Sequence, residues 1–277
     1  NKRLVVRIEI KGPGFQLLSN QSNTLSLQPM ECYSIGVSFC PTVLGAAIGA
    51  LCFYSPMVGA TSSQAPFMQI PLYGYGGNSS VTIADLMSSP TGSPFLMLGD
   101  IDKLAEAMET QFRIYNKGPQ TCFAYLCFDP TNLNMTGIRD VISIYPDKIL
   151  IPPDHNVKIM VTFAPKREEL KHIRKNIQNM GPTIANLRVV TGDEANRQRV
   201  RSIMHAQKVT EPKVTSNILD NLWTTFPKEV VMKELANFKE PASILVELIS
   251  QLRLHEVPIT IVCDQMNDIF DCSSNFD

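Results

Sequence analysis

The sequence predicts a mainly β protein, with two tandem β-sandwiches followed by a helical C-terminal extension. Its 277 residues suit two sandwiches of roughly 100 residues each. One segment occurs twice, as LSLQPMECYSIGVSFCP over residues 25–41 and as ILIPPDHNVKIMVTFAP over residues 149–165. Matching positions of the two copies stand about 124 residues apart, and a fixed period of this kind indicates a repeated architecture.

Each copy of the repeat alternates apolar and polar residues, as a half-buried strand does. The apolar positions are Tyr33, Ile35, Val37 and Phe39 in the first copy, and Val157, Ile159, Val161 and Phe163 in the second. A period of two places every second side chain on one face, so each strand is predicted to turn this face towards a core. Pro41 and Pro165 end the strands, because proline has no N–H for the next ladder bond.

The repeat divides the chain into two predicted sandwiches, residues 1–80 and residues 81–207. The second shows strand patterns before its repeat that the first lacks. Asn1-Lys2 resembles the turn Asn116-Lys117 of the second sandwich. We therefore expect the early N-terminal strands of the first sandwich to lie outside this sequence.

Helical spacing appears in the second half of the chain. Leu170, Ile173 and Ile177 recur at helical intervals and predict an inserted helix near residues 166–178. Residues 208–277 are predicted to form the helical extension, because Pro227 and Pro241 stand where helices often begin. The apolar run 257–263 at its end predicts a final strand.

Composition excludes several classes of function. The charges of 25 Lys and Arg against 26 Asp and Glu disfavour a nucleic-acid-binding surface over the whole molecule. No apolar run reaches the roughly 20 residues of a membrane helix, so we expect no direct membrane binding. The 7 cysteines contain no CxxC pair and stand at different places in the two repeats, which fits a reducing, intracellular compartment.

The strands of the second sandwich carry a characteristic series of motifs. In chain order these are Leu98-Gly99-Asp100, Phe112-x-Ile114-x-Asn116-x-Gly118, Ile151-x-Pro153 and Ile159-x-Val161-x-Phe163-x-Pro165. This order resembles the ASPM-SPD-hydin (ASH) domain, an immunoglobulin-like sandwich related to major sperm protein (MSP) and to the chaperone PapD. The run IPLYGYGG over residues 70–77, together with the tandem arrangement, is similar to the C-terminal region of the spindle-defective protein two or centrosomal protein of 192 kDa family. The second sandwich departs from the pattern, since no Gly-x-Gly closes it near Val200.

This resemblance implies tandem immunoglobulin-like (PapD/MSP-like) sandwiches acting as a non-enzymatic scaffold. The expected location is the cytoplasm, the cytoskeleton and the centrosome. The expected partners are other centrosomal and pericentriolar proteins. The expected roles are the recruitment of pericentriolar material and the organisation of the centrosome, the spindle and microtubules. The alternatives are a ciliary or axonemal ASH-domain structural protein, an MSP-type adaptor for acidic or phosphorylated peptides, and an exported PapD-like chaperone.

The residues themselves point away from catalysis. None of His155, His172, His205 and His255 shares a motif with a Cys, Ser or carboxylate. There is no paired Cys and no His-x-x-x-His for a metal, and the glycines of GYGG do not have the spacing of a phosphate-binding loop. We therefore predict no catalytic, metal-binding or cofactor-binding residue, no cofactor and no small-molecule ligand.

Two candidate surfaces remain. The first is a basic surface for a partner protein, made of Lys171, Arg174, Lys175, Arg197, Arg199 and Arg201. Its last three residues alternate, so on a strand they would share one face, where arginine suits bidentate contacts to acidic or phosphorylated groups. The alternative is a solvated face, whose charge the acidic C-terminal residues offset.

The second candidate surface is an interdomain contact formed by Tyr73, Gly74, Tyr75 and Gly76. On a strand the two tyrosines share one face and the two glycines share the other, where bare backbone allows a close approach. The alternative is that the tyrosines fill the sandwich core and the glycines lie at a bend.

Overall fold

The computed structural model describes residues 3–55, 65–103, 107–128, 141–180, 182–207 and 221–262. The Asn1-Lys2 turn lies outside these residues. Strands account for 48% of the chain and helices for 19%, so the prediction of a mainly β fold is confirmed. The chain forms two compact units, and its C-terminal part is divided between them. Unit 1 contains residues 1–78 and 231–242, and unit 2 contains residues 79–230 and 243–277.

Unit 1 consists of a four-stranded sheet facing a two-stranded one. Its strands are β1 (Leu4–Lys11), β2 (Phe15–Leu17), β3 (Thr24–Leu27), β4 (Val37–Phe39), β5 (Gly45–Tyr54) and β6 (Met68–Gly76). The larger sheet has the order β3-β1-β5-β6 and the smaller one pairs β2 with β4, with every neighbour antiparallel. Ile8, Leu25 and Leu51 form the buried centre between the sheets.

The first repeat strand is shorter than its alternation predicts. Only Val37–Phe39 is a strand, and Tyr33 is 49% exposed, so the predicted strand over residues 33–39 is corrected to three residues. The reason is its partner: β4 pairs only with the three residues of β2. A strand extends as far as a neighbour supplies ladder bonds.

Unit 2 consists of two larger sheets. Its strands are β7 (Val81–Ala84), β8 (Met87–Ser88), β9 (Pro94–Asp100), β10 (Met108–Asn116), β11 (Cys122–Phe128), β12 (Ile142–Tyr145), β13 (Lys148–Ile151), β14 (Asn156–Phe163), β15 (Thr183–Asp193) and β16 (Arg253–Val262). The sheets have the orders β12-β14-β10-β7 and β13-β11-β15-β16-β9-β8. Strand β16 is antiparallel to β15 and parallel to β9. It lies where the apolar run 257–263 predicts a strand.

Helices occupy the connections of unit 2. Helix α1 (Arg167–Met180) joins β14 to β15, in the region of the predicted insertion, and its Ile173 is buried in the core. The connection from β15 to β16 contains α2 (Glu194–Gln207) and α3 (Leu245–Ser250). Short 3-10 turns lie at Ile101–Lys103, Asn221–Trp223, Lys233–Asn237 and Ala242–Ile244. The predicted C-terminal helices are therefore short.

The core of unit 2 lies between its two sheets. Ile159, Val161 and Phe163 of the second repeat are fully buried, together with side chains of β9, β10, β11, β15 and β16. The alternation in this copy therefore predicts the inner face correctly.

The two units repeat the same ladders in the same register. Strands β1 to β6 correspond to β11 to β16 in order, and their sheets connect them in the same way. Pairs of facing residues in unit 1 have equivalent pairs in unit 2. Leu4–Leu27 corresponds to Cys122–Ile151, Arg7–Tyr54 to Tyr125–Val190, Phe15–Phe39 to Ile142–Phe163, and Leu51–Ile70 to Leu187–Val257. Strands β7 to β10 have no counterpart among the described residues of unit 1.

Candidate functional site

The predicted basic surface is divided between two helices of different exposure. Lys171, Arg174 and Lys175 are exposed on α1. Lys171 Nζ lies 3.1 Å from a Glu168 carboxylate oxygen, and an Arg174 guanidinium nitrogen lies 2.9 Å from Asp102 Oδ1. Exposed pairs of this kind contribute little to stability, so these basic groups can exchange their acidic neighbours for those of a partner.

Arg197, Arg199 and Arg201 do not lie on a strand, and this part of the prediction is wrong. They belong to α2, where residues two apart point to different sides of the helix. Arg197, Val200 and Ile203 are buried and recur every three positions, which is the spacing of one helical face. Arg199 is also buried, and its guanidinium donates to Asn196 Oδ1 at 2.9 Å. Helical burial, and not alternation, therefore organises this segment.

Arg197 is a buried clamp within unit 2. Its guanidinium lies 2.7 Å from a Glu194 oxygen and also pairs with Glu229. It donates to the backbone oxygens of Leu222 and Thr224 at 3.1 and 2.6 Å. Residues 222–229 are thereby held against α2.

The ring of Phe226 completes this cluster. Its centroid lies 4.0 Å from the Arg197 guanidinium carbon, within the range of a cation–π contact. Arg201 donates to the other Glu229 oxygen, so one carboxylate joins two arginines. The clamp has a structural role, and the exposed residues of α1 remain as the candidate basic surface.

The clamp changes the pKa of the Glu229 carboxylate and the pKa of the Arg197 guanidinium. Burial favours neutral Glu229, but the Phe226 backbone N–H and the guanidinium groups of Arg197 and Arg201 outweigh it and lower the pKa of Glu229. Burial likewise opposes charged Arg197, but Glu194 and Glu229 outweigh it and raise the pKa of Arg197. Glu229 and Arg197 are therefore both held in their charged forms at neutral pH. No local sequence signal identifies Glu229 as a partner, because it stands 32 residues beyond Arg197.

The predicted interdomain residues Tyr73 and Tyr75 face away from the core of unit 1. The Tyr73 ring lies 5.1 Å from the Phe238 ring between centroids, and the Tyr75 hydroxyl lies 3.3 Å from Glu234 Oε1. Both contacts are within unit 1, because residues 231–242 belong to it. Burial, followed by the nearby carboxylate of Glu234, raises the pKa of Tyr75. The alternative of core-filling tyrosines is therefore wrong.

Gly74 and Gly76 alternate with these tyrosines and lie on the opposite face of β6. A Cβ at Gly74 would lie 2.6 Å from the Phe39 ring, and one at Gly76 would lie 2.1 Å from the Val43 backbone oxygen. The close approach that bare backbone permits is thus made by the unit's own residues. An interdomain role for residues 73–76 stays a prediction.

Asn116, for which the sequence motif alone predicted no role, connects three segments of unit 2. Its buried amide nitrogen donates to the backbone oxygens of Gln120, Ile151 and Pro152, at 2.6, 3.0 and 3.3 Å. Its amide oxygen accepts from the backbone N–H groups of Ser80 and Gly118, at 3.2 and 3.0 Å. The motif Asn116-x-Gly118 is therefore a hydrogen-bonded turn that fixes β7, β10 and β13.

Groups that could perform chemistry are sparse in the described part of the chain. It contains no group of three or more His, Cys, Asp or Glu side chains that could hold a metal ion. Cys122 is fully buried, and burial raises the pKa of its thiol to about 12, so it is not a nucleophile at neutral pH. Among these residues no helix is long and apolar enough to cross a membrane.

One groove lies on the outer face of the six-stranded sheet of unit 2. Its volume is about 420 Å³, and Phe95, Met97, Pro258 and Val262 are among its mainly apolar lining residues. Ser88, Ser89 and Ser93 supply hydroxyl groups at the β8–β9 side. None of the described residues that line this groove is charged.

The chain forms two immunoglobulin-like sandwiches, and its polar clusters have structural roles. This fold defines a tandem ASH-type module. Comparison with protein families makes this specific. The family model Cep192 domain 4 matches residues 1–77, and Cep192 domain 5 matches residues 88–257. The chain belongs to the Cep192 family. Because the domain 5 match runs through α1, α2 and α3, these helices lie within the family's domain.

No curated protein matches the chain. The MSP-domain-like protein SSP-19 of Caenorhabditis elegans shares 8% identity, covers 61% of this chain and 94% of its own, and has a TM-score of 0.27. The PapD-like domain 7 of human CEP192 shares 11% identity, covers 51% of this chain and 87% of its own, and has a TM-score of 0.27.

The family membership also gives the broad class of function. Cep192-type domains are interaction domains, so the chain is a centrosomal scaffold-type module for protein–protein interaction. It is accordingly a centrosomal, cytoskeletal protein.

Proposed function

We propose that the chain recruits pericentriolar material and supports centrosome and spindle assembly by binding other centrosomal proteins. The observation that carries this proposal is the match to two successive Cep192 domains, 4 and 5. The register shared by the two units supports it physically, because both units present rigid β-sheets with the same spacing of side chains. Rigid faces bind partners without the entropic cost of ordering the binding surface.

The exposed basic residues of α1 are the proposed contact for acidic or phosphorylated partner segments. The MSP-type adaptor alternative binds the same kind of segment, and we propose this binding mode for the scaffold. Lys171, Arg174 and Lys175 are three and four positions apart, which places them on one exposed side of α1, while the helix is anchored through Ile173. A charged partner can therefore bind without disturbing the core of unit 2.

Endogenous tagging tests the proposed location and role. The tagged protein is expected at centrosomes, and its depletion is expected to reduce pericentriolar material during spindle assembly. Exclusive labelling of ciliary axonemes would favour the axonemal alternative instead. Absence from centrosomes at every stage of the cell cycle would reject the proposed function.

Proximity labelling tests the basic surface separately. A variant with Lys171, Arg174 and Lys175 changed to Glu is expected to lose a subset of labelled neighbours. The matched control changes the exposed residues Lys117, Lys158 and Lys228 to Glu, which alters the net charge of unit 2 by the same amount. If both variants keep the wild-type neighbours, the α1 surface is not a binding site, whereas the centrosomal role is unaffected.

A further inference from the structure

Unit 1 takes up a short segment that lies, in the sequence, between two segments of unit 2. Residues 231–242 belong to the connection between β15 and β16, and the Cep192 domain 5 match includes them. In the structure they nevertheless form part of unit 1. We call residues 231–242 the docking segment. The face of unit 1 that this segment covers is a binding surface whose occupant the structure shows.

The docking segment presents apolar side chains at every third position. Met232 is half-buried, and Leu235 and Phe238 are buried. Residues Lys233–Asn237 form a 3-10 turn, in which side chains three positions apart share one face. A turn of 5 residues is too short to be stable by itself. Its conformation therefore depends on the surface that it covers.

The surface that receives this apolar face is the outer side of β5 and β6. The Tyr73 ring contacts the Phe238 ring, and the Tyr75 hydroxyl contacts Glu234 Oε1. The 3-10 turn also lies against β5. Since Tyr73 and Tyr75 are two positions apart on a strand, they stand on the same side of the sheet. The surface thus combines apolar contacts with one contact to a carboxylate.

The groove of unit 2 lies at the equivalent place on its own sheet. Position by position, Pro71, Tyr73 and Tyr75 of β6 correspond to Pro258, Thr260 and Val262 of β16. All three residues of β16 line the groove. Thr183 of β15, which stands opposite Thr260, lines it as well. The groove therefore occupies the place where unit 1 holds its docking segment.

Smaller side chains leave this place open in unit 2. Thr260 and Val262 are smaller than the tyrosines at the same positions of unit 1, and Phe95 and Met97 of β9 form the neighbouring wall. The volume of about 420 Å³ lies within the range of about 300–1,000 Å³ that is typical of ligand sites. Because the described lining residues are uncharged, the groove suits apolar side chains like those of the docking segment.

We propose that this groove receives the docking segment of a further sandwich unit, the one that follows unit 2 in the tandem series. The binding mode is that of residues 231–242 on unit 1, with apolar side chains at every third position. The side chain equivalent to Phe238 lies over Thr260, because Phe238 itself contacts Tyr73. It also contacts Met97, which stands opposite Thr260 in the sheet.

The replacement of Tyr75 by Val262 predicts a difference in selectivity between the two surfaces. In unit 1 the Tyr75 hydroxyl lies 3.3 Å from Glu234 Oε1. Val262 offers no hydroxyl group, so a carboxylate at this position would lose water without gaining a hydrogen bond. We therefore expect the groove to favour a segment that has an apolar residue at the position of Glu234.

A peptide of residues 229–243 of this chain with Glu234→Leu is a suitable probe. Its binding to the 277-residue chain is measured by fluorescence anisotropy, and a photoreactive phenylalanine at position 238 marks the site. We expect saturable binding and a cross-link at Met97 or Thr260. The peptide with its natural Glu234 is expected to bind about tenfold more weakly. A cross-link at Tyr73 would show that the peptide displaces the chain's own docking segment, which would overturn the proposal.

Variants of the 277-residue chain test the lining of the groove. Met97→Lys is expected to weaken binding of the probe about tenfold, because it places a charge among apolar side chains. Leu254→Lys is the matched control, since Leu254 is 56% exposed on the same outer face of β16 and lies outside the groove. Equal effects of the two substitutions would reject the groove as the site.

A further variant tests the correspondence between the two units. Val262→Tyr supplies the hydroxyl group that Tyr75 has in unit 1, and it is expected to reverse the preference between the two peptides. The peptide with Glu234 should then bind more tightly than the one with Glu234→Leu. An unchanged preference would show that the groove does not read this position as unit 1 does.

Two more measurements test the source of the occupant. In the protein isolated at its natural length from its own cells, the following unit should fill the groove and weaken binding of the probe about tenfold or more. Binding as tight as that of the 277-residue chain would exclude a segment of the same polypeptide. A complex of two 277-residue chains without peptide, cross-linked at Met97, would make a second copy the occupant and would also overturn the proposal.

Discussion

Units 1 and 2 use the same ladder positions but bury them to different extents. Phe163 and Val161 of β14 are fully buried, whereas Phe39 and Val37 at the same positions of β4 are half-buried. The difference follows from β9 and β10, which add to both sheets of unit 2. The repeat therefore determines the register of the strands, and the neighbouring strands determine how much each side chain contributes to stability.

The connections before the last strand differ as well. In unit 2, the connection between β15 and β16 contains the buried cluster of Arg197, Glu194 and Glu229. The connection between β5 and β6 of unit 1, residues 55–67, contains no charged residue in its sequence. This connection of unit 2 is therefore held by buried charges, for which the equivalent connection of unit 1 has no residues.

The largest expected effect comes from truncating the equivalent phenylalanines. Phe163→Ala should destabilise unit 2 by about 4 kcal/mol, because it leaves a cavity in a closed core. Phe39→Ala should cost less than about 2 kcal/mol, since its ring is already half in contact with solvent. Urea unfolding, followed by hydrogen exchange in peptides from each unit, measures both losses. Equal losses would contradict the difference in burial between Phe39 and Phe163.

The next effect comes from the buried clamp. Arg197→Met should destabilise unit 2 by about 3 kcal/mol, because Glu194 and Glu229 lose their partner inside the protein. Unit 1 should unfold at an unchanged urea concentration. Lys175→Met on the exposed side of α1 is the control and should stay within about 0.5 kcal/mol of the wild type. A wild-type unfolding midpoint for Arg197→Met would contradict a buried ion cluster.

Much of the fold follows from local patterns in the sequence. Alternation identifies β14 and its inner face, and helical spacing identifies α1, because both signals come from residues adjacent in the chain. The short β4 is different. Its alternation is as regular as that of β14, but the length of a strand depends on partners that the local pattern does not show.

The candidate site was harder to predict for the same reason. Arg197, Arg199 and Arg201 alternate by coincidence, while the spacing of Val200 and Ile203 reflects the helix that forms. The carboxylate of Glu229 reaches Arg197 only in the folded unit. Short-range periodicity therefore identifies elements and faces, but contacts between distant segments need the structure.

Asn116 allows a comparison with a smaller effect, because its hydrogen-bonded turn has no counterpart among the described residues of unit 1. Asn116→Ala should destabilise unit 2 by about 2 kcal/mol, since buried backbone groups at Gln120 and Ile151 lose their donor. Asn156→Ala removes an exposed asparagine from the neighbouring strand β14 and is the matched control. Faster amide exchange at Gly118 should accompany the loss only in the first variant. Unchanged exchange there would show that the turn holds without the side chain.

The smallest expected effect is a pH dependence confined to unit 2. Glu229 has a lowered pKa in the folded protein, and a free glutamate has a pKa of about 4.3. Its stabilising contribution is therefore complete above about pH 4.3 and is lost as the pH falls towards the lower folded pKa. Glu229→Gln should remove this part of the acid sensitivity, whereas Glu247→Gln, an exposed change on α3, should leave it intact. Unfolding midpoints of unit 2 from pH 6 to pH 3 measure the difference. If the midpoints of the two variants change with pH in the same way, Arg197 and Arg201 do not hold the Glu229 carboxylate in its charged form.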